Sequence, residues 1–159
     1  MVMIRPGTAR DAQGVARVQV ESWQAAYSHV LPHKQLQELS VEGRAEQWRE
    51  YPPIVAEVDG EIVGFVSVGA SRDDDADGEL YAIYVRPDHW STGAGRALIQ
   101  AGETELRRLG HQDVVLWVLA DNPRARRFYE RAEWATDGAS RGIEIFGDEV
   151  PEVRYRKRL

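Results

Sequence analysis

The 159-residue sequence predicts an α/β (α+β) fold, a mixed and mainly antiparallel sheet of about seven strands flanked by about four helices. Three observations predict it. Apolar residues in the first 50 positions recur at helical spacing. From Ile54 to Val68 the pattern changes to β-branched runs joined by Asp59-Gly60. Beyond that, strand-like and helix-like segments alternate, and two final strands close the order.

Met3 to Arg5 reads as a short first strand. Thr8-Ala9-Arg10-Asp11 resembles a helix-start box, and Val15, Val18, Trp23, Ala26, Tyr27 and Val30 mark an amphipathic face. Pro32 interrupts this helix. Leu36, Leu39, Val41, Ala45 and Trp48, with a cap at Ser40, predict a second helical stretch that ends before Pro52-Pro53. Ile54–Val58 and Ile62–Val68 form a hairpin, and a further strand runs from Glu79 to Arg86, stopped by Pro87. A helix follows from Gly93 to Leu109, with Leu98, Gly102, Leu106 and Leu109 on one side and Gly110 as its C-terminal glycine. Asp113–Leu119 is strand-like again. Asn122 caps a short helix with Pro123 at its first position, and Ala125, Phe128, Tyr129 and Ala132 follow helical spacing. Strands near Trp134–Phe146 and Val150–Arg156 complete the sheet. With no repeat, low-complexity tract or linker, residues 1–159 read as a single domain.

Composition narrows the function classes. A hydrophobic content of 43% supports a sizeable core. No apolar run approaches the roughly 20 residues that cross a bilayer, and the start lacks the apolar stretch of a signal peptide. The expectation is therefore a cytoplasmic protein with no membrane partner. The absence of cysteine removes disulfides, zinc-thiolate sites and thiol catalysis by the chain itself. The net charge of -6 argues against a general nucleic-acid binder. Asp73, Asp74, Asp75 and Asp77 read as a flexible, solvated acidic loop, and Arg124, Arg126, Arg127 and Arg131 as a solvated face. The acidic run fits the first half of a calcium loop, but the closing glutamate would fall at Tyr84, so no metal is expected.

The informative segment runs from Leu80 through Pro87 to Trp90-Ser91-Thr92-Gly93-Ala94-Gly95-Arg96, where a strand passes through a glycine turn into a helix. Glycines let the main chain approach an anion, and a helix N-terminus adds open N–H groups and partial positive charge. Such a turn suits a pyrophosphate. The dinucleotide fingerprint fails at Leu98, and the phosphate loop of nucleotide hydrolases fails for want of Lys-Ser or Lys-Thr. A second block, Asn122-Pro123-Arg124-Ala125-Arg126-Arg127-Phe128-Tyr129, lies about one strand beyond that helix.

Together the two blocks resemble the GNAT superfamily of N-acetyltransferases, whose signature is Arg/Gln-x-x-Gly-x-Gly/Ala after the fourth strand and Asn-x-x-Ala-x-x-Phe-Tyr on a later helix. The element order matches over nearly the whole chain. The resemblance implies acetyl-CoA as acyl donor, entering where the fourth and fifth strands splay, and an amine-bearing acceptor attacking it in a ternary complex. It implies cofactor contacts along Ile83, Tyr84 and Val85, with the backbone of Ile83 and Val85 pairing with the pantetheine arm. It also implies a pyrophosphate wrapped by the amides of Ser91, Thr92, Gly93, Ala94, Gly95 and Arg96, and a further contact at Asn122. Tyr129 matches the tyrosine that protonates the leaving thiolate, Glu79 a position where some members carry a catalytic glutamate, and the Val85 N–H the oxyanion donor.

Three departures stand out. Trp90 replaces the usual Arg or Gln, Trp117 stands where other members place a glutamate base, and Ala132-Glu133-Trp134 replaces Leu-Gly-Phe. The acceptor side would draw on the first helices, with Glu21, Trp23, Tyr27 and His29 as candidates. His29 and His33 could titrate near neutrality. A noncatalytic acyl-CoA sensor is the rival reading, and a homodimer is a possible assembly.

Overall fold

The computed structural model describes residues 1–27, 41–145 and 147–159. Val30, Pro32, His29, His33, Leu36, Leu39, Ser40 and Phe146 lie outside the described residues. The strands are β1 (Met3–Pro6), β2 (Ile54–Val58), β3 (Glu61–Ala70), β4 (Gly78–Val85), β5 (Asp113–Leu119), β6 (Ala135–Ile145) and β7 (Asp148–Arg158). The helices are α1 (Ala12–Tyr27), α2 (Val41–Glu50), α3 (Ala94–Arg108) and α4 (Pro123–Arg131). The strands form a seven-stranded mixed sheet in the order β1-β2-β3-β4-β5-β7-β6. The β4–β5 pair is parallel, while β1–β2, β2–β3, β5–β7 and β6–β7 are antiparallel.

By its contacts the chain divides into two compact units, residues 1–67 with 82–102, and residues 68–81 with 103–159. In the first unit, Val15 and Val18 of α1, Ala45 and Trp48 of α2, Val55 of β2 and Phe65 of β3 are buried together. Trp48 and Phe65 pack with ring centroids 5.0 Å apart, and Trp48 Nε1 donates to Gln19 Oε1 at 2.9 Å, so the buried indole keeps a partner. At the β2–β3 hairpin, Asp59 and Gly60 both take positive φ (50° and 82°), as a two-residue turn matched to strand twist requires.

In the second unit, β5 contributes Val114, Val115 and Leu116, and β7 contributes Tyr155, all fully buried. Trp134 is also buried, its Nε1 donating to Glu103 Oε2 at 3.1 Å, and Lys157 Nζ donates to the other oxygen of Glu103 at 2.8 Å. Trp134 thus occupies the aromatic position that closes the α4 turn. Glu133 before it adopts φ 71°, the conformation a glycine would take without strain.

Several boundaries and faces differ from the sequence-based expectation. Leu109 is 45% exposed, because α3 ends at Arg108 and its apolar stripe closes with buried Leu106. The β7 strand runs from Asp148 to Arg158 rather than from Val150 to Arg156. Its charged ends are held by pairing on both sides, Asp148 with Ile145 and Arg158 with Asp113.

The acidic run is not a free, solvated loop. Arg154 is 8% exposed in its side chain and reaches Asp73, Asp75 and Asp137 at 3.2, 2.6 and 2.7 Å. Arg156 adds Asp113 and Asp137, and Asp77 accepts the backbone N–H groups of Gln112 and Asp113. Trp117, the departure on β5, donates its Nε1 to Asp73 Oδ2 at 2.9 Å and lies under the Arg141 guanidinium at 4.1 Å. Of the basic run, Arg126 is likewise engaged: its Nε donates to Tyr155 Oη and its Nη1 to the Ala120 carbonyl, both at 3.0 Å.

Candidate active site

On the first unit, the turn after β4 enters α3 through residues of positive φ. Ser91 and Gly93 adopt φ 65° and 92°, and Gly93 accepts the N–H of Ala97, which makes it the residue that opens α3. An opening residue with a side-chain oxygen would bond the next amides; glycine has none. The amides of Ala94, Gly95 and Arg96 belong to the first turn, where no intrahelical acceptor exists. Around them Ser91, Thr92, Gly93 and Arg96 are exposed, Gly95 is half-buried and Ala94 is buried. Thr92 donates its hydroxyl to the His89 carbonyl at 2.6 Å, which ties the turn to the residues before it.

The Arg86 N–H donates to the Val63 carbonyl on β3 at 2.8 Å. Peptide groups alternate sides along a strand, so those of Ile83 and Val85 turn away from β3 while those of Tyr84 turn toward it. The Val85 carbonyl accepts from Trp90 Nε1 at 2.8 Å and from Ser22 Oγ at 3.3 Å. A ligand adding along this edge would therefore use the Ile83 peptide groups and the Val85 N–H. Trp90, the departure from the usual Arg or Gln, braces the end of β4. The Tyr84 ring packs on Phe65 at 5.7 Å and its hydroxyl accepts from Trp23 Nε1 at 2.9 Å. Its side chain is partly buried against the core of the first unit. Trp23 is thereby placed in the interior network, and Glu21 pairs with Arg86 at 3.2 Å.

On the second unit, Asn122 caps α4, its Oδ1 accepting from the Ala125 N–H at 3.2 Å. That orients the helix so that Tyr129 is buried, its ring against Phe128 at 5.5 Å and Tyr155 at 6.0 Å. Tyr155 donates to Glu130 at 2.6 Å, and burial raises its phenol above the usual range.

Glu79 lies in β4 beside Val115 of β5 and is 1% exposed. Its carboxylate does not stand alone. Oε1 accepts from the Arg72 N–H at 3.0 Å and from Arg72 Nε at 3.3 Å, and Oε2 accepts from Arg72 Nη2 at 2.5 Å. Arg72 was not legible as a partner, because the six residues between the two are mostly irregular acidic loop and no local spacing links them. The pKa of its guanidinium is raised above the usual range, chiefly by the hydrogen bonds it donates to Glu79. Among the described residues no group of three or more His, Asp or Glu side chains could hold a metal ion, and no helix is long and apolar enough to cross a membrane.

The sequence profile of the acetyltransferase (GNAT) family matches residues 16–134, three quarters of the chain. The chain belongs to the GNAT family. GNAT enzymes are acyl-CoA-dependent acetyltransferases, and acetyl-CoA is their acyl donor. Over 96% of this GNAT chain and 91% of its relative, 32% of residues are identical to the uncharacterized N-acetyltransferase YuaI of Bacillus subtilis. Mycothiol acetyltransferase of Actinosynnema mirum is 37% identical over 58% of this chain, which spans only 32% of that longer protein. The fold matches that of the PaiA N-acetyltransferase of Thermoplasma acidophilum, solved with coenzyme A, at a TM-score of 0.73, covering 100% of this chain and 99% of that one at 17% identity.

Proposed function

We propose that this GNAT chain transfers an acetyl group from acetyl-CoA to a primary amine of a small molecule or peptide, by direct attack in a ternary complex. The observation that carries the reading is the glycine-opened start of α3, whose amides lack a capping side chain and suit the pyrophosphate. Bound acetyl-CoA supplies a thioester carbon to which the amine nitrogen bonds as the carbon–sulfur bond breaks, one proton leaving nitrogen and one reaching sulfur.

The chain's residues divide that work. The amides from Ser91 to Arg96 hold the phosphates, and the Ile83 peptide groups hold the pantetheine as an added strand would. The Val85 N–H stabilises the oxyanion, a fixed donor contributing roughly 3 kcal/mol. Asn122 supports the cofactor end of α4, and Tyr129 gives its phenolic proton to the departing sulfur. Glu79 is the carboxylate assigned to receive the proton of the amine. Because both its oxygens accept from Arg72, that step requires one of those contacts to open.

Thiol release with acetyl-CoA across a panel of amines and peptides tests the reading. Tyr129→Phe should lower kcat by about 10- to 100-fold, within the range of acid catalysis, while the dissociation constant for acetyl-CoA stays unchanged. An unaltered rate would return Tyr129 to a packing role. Acetyl-CoA binding without thiol release from any acceptor would favour the sensor.

A further inference from the structure

Arg72 stands two residues beyond the end of β3, and three contacts fix it. The buried Glu79 carboxylate takes its backbone N–H, its Nε and its Nη2. Its guanidinium carbon lies 5.1 Å from the Tyr81 ring centroid. That ring is itself held, since the Tyr81 hydroxyl donates to the Ala70 carbonyl and the ring lies against Gly69, where an added Cβ would fall 2.6 Å from Tyr81 Oη. A glycine at 69 is what lets the aromatic ring settle under the arginine.

Despite these restraints the Arg72 side chain is 64% exposed. The bidentate pair uses Nε and Nη2, so Nη1 is not part of it. A buried ion pair adds little net stability once desolvation is counted. What this one achieves is an exposed guanidinium held in place by two of its five N–H donors, and a guanidinium so fixed recognises planar anions. Asp73 and Asp75 in the same loop are taken up by Arg154, so Arg72 offers one guanidinium fork, which a single planar carboxylate matches in charge and in spacing.

We propose that Arg72 binds a carboxylate on the acceptor, so that the preferred acceptors are amino acids or similar compounds in which the amine and a carboxylate lie close together. This rests on the acetyltransferase reading, in which Glu79 adjoins the reacting amine. Arg72 Nη2 is 2.5 Å from Glu79 Oε2, which brings the guanidinium within a short span of that amine.

The experiment compares matched acceptors, each amino acid against its own amide, in thiol-release assays with acetyl-CoA. The wild type should favour the carboxylate member by about 10- to 100-fold in kcat/KM, the worth of a charge-assisted pair. Arg72→Lys, which keeps the charge but loses the fork, should shrink that ratio. Arg72→Met with Glu79→Gln, which leaves no buried charge unpaired, should abolish it even if overall rates fall. Equal rates for both members in the wild type, or a preference that survives in both variants, would overturn the proposal. If no member of the panel is turned over, calorimetric titration of the N-acetylated amino acid and its amide into CoA-saturated protein decides, with indistinguishable affinities counting against it. Failure to bind acetyl-CoA at all would instead sink the acetyltransferase reading.

Discussion

Asp11 accepts both Nη groups of Arg5 at 2.8 and 3.0 Å, and the Thr8 N–H at 2.8 Å. The Arg5 hydrogen bonds hold its carboxyl at about 2, below the usual aspartate range. Because the folded value is depressed, the stabilisation is complete above the unfolded value, near pH 4, and is lost as pH falls toward 2. Discounted for partial exposure, it amounts to about 1–2 kcal/mol. Asp11→Asn should lose that much at pH 7 and show a flatter acid limb in denaturant titrations between pH 4 and pH 2. Glu133 stores strain of another kind. At φ 71° a side chain costs about 1 kcal/mol, so Glu133→Gly should raise the midpoint of chemical denaturation, and an unchanged or lower midpoint would show that the Glu133 side chain offsets the strain. Both positions were visible in sequence, Asp11 as part of a start box and Glu133 as a departure from Leu-Gly-Phe, but only dihedrals and distances give them an energetic sign.

The β3–β4 loop is the element the sequence misrepresents most. Four aspartates in a short stretch read as solvated repulsion, yet Arg154 and Arg156 on β7 gather them. Those partners lie about 80 residues away, separations of 81 for Arg154 with Asp73 and 79 with Asp75, and no local rule connects them. Replacing Arg154 with Met would leave Asp73 and Asp137 without their shared cation. Breaking so enclosed a network should cost about 3 kcal/mol, read as a fall in the denaturation midpoint at constant m-value. Part of the loss should shrink at high salt, because Asp75 is exposed and screened. The helices show the opposite case. Asn122-Pro123 and the Phe128-Tyr129 pair predict α4 and its buried face because capping and side-chain spacing are local properties.

At the scale of the whole molecule, binding at the cradle is expected to stabilise the fold. Acetyl-CoA at 100 times its dissociation constant should add about 2.7 kcal/mol, a rise in Tm of about 5–10 °C for a chain of this length. ATP and NAD should shift it little, since neither carries a pantetheine arm to pair with Ile83. A shift with ATP equal to that with acetyl-CoA would reduce the cradle to a general phosphate site.

The sequence by itself determined the order of strands and helices, the hairpin at Asp59-Gly60, the glycine-opened α3 and the Asn122–Tyr129 helix. Each is encoded by residues within a turn or two of one another. The tertiary structure alone decided that Tyr84 packs on Phe65, that Trp90 braces β4, that Asp73 and Asp75 pair with Arg154 of β7, and that Glu79 is bound to Arg72. In each of these cases the outcome depends on which distant side chain supplies the hydrogen-bond donor or packing surface, and that choice is made only when the strands pair.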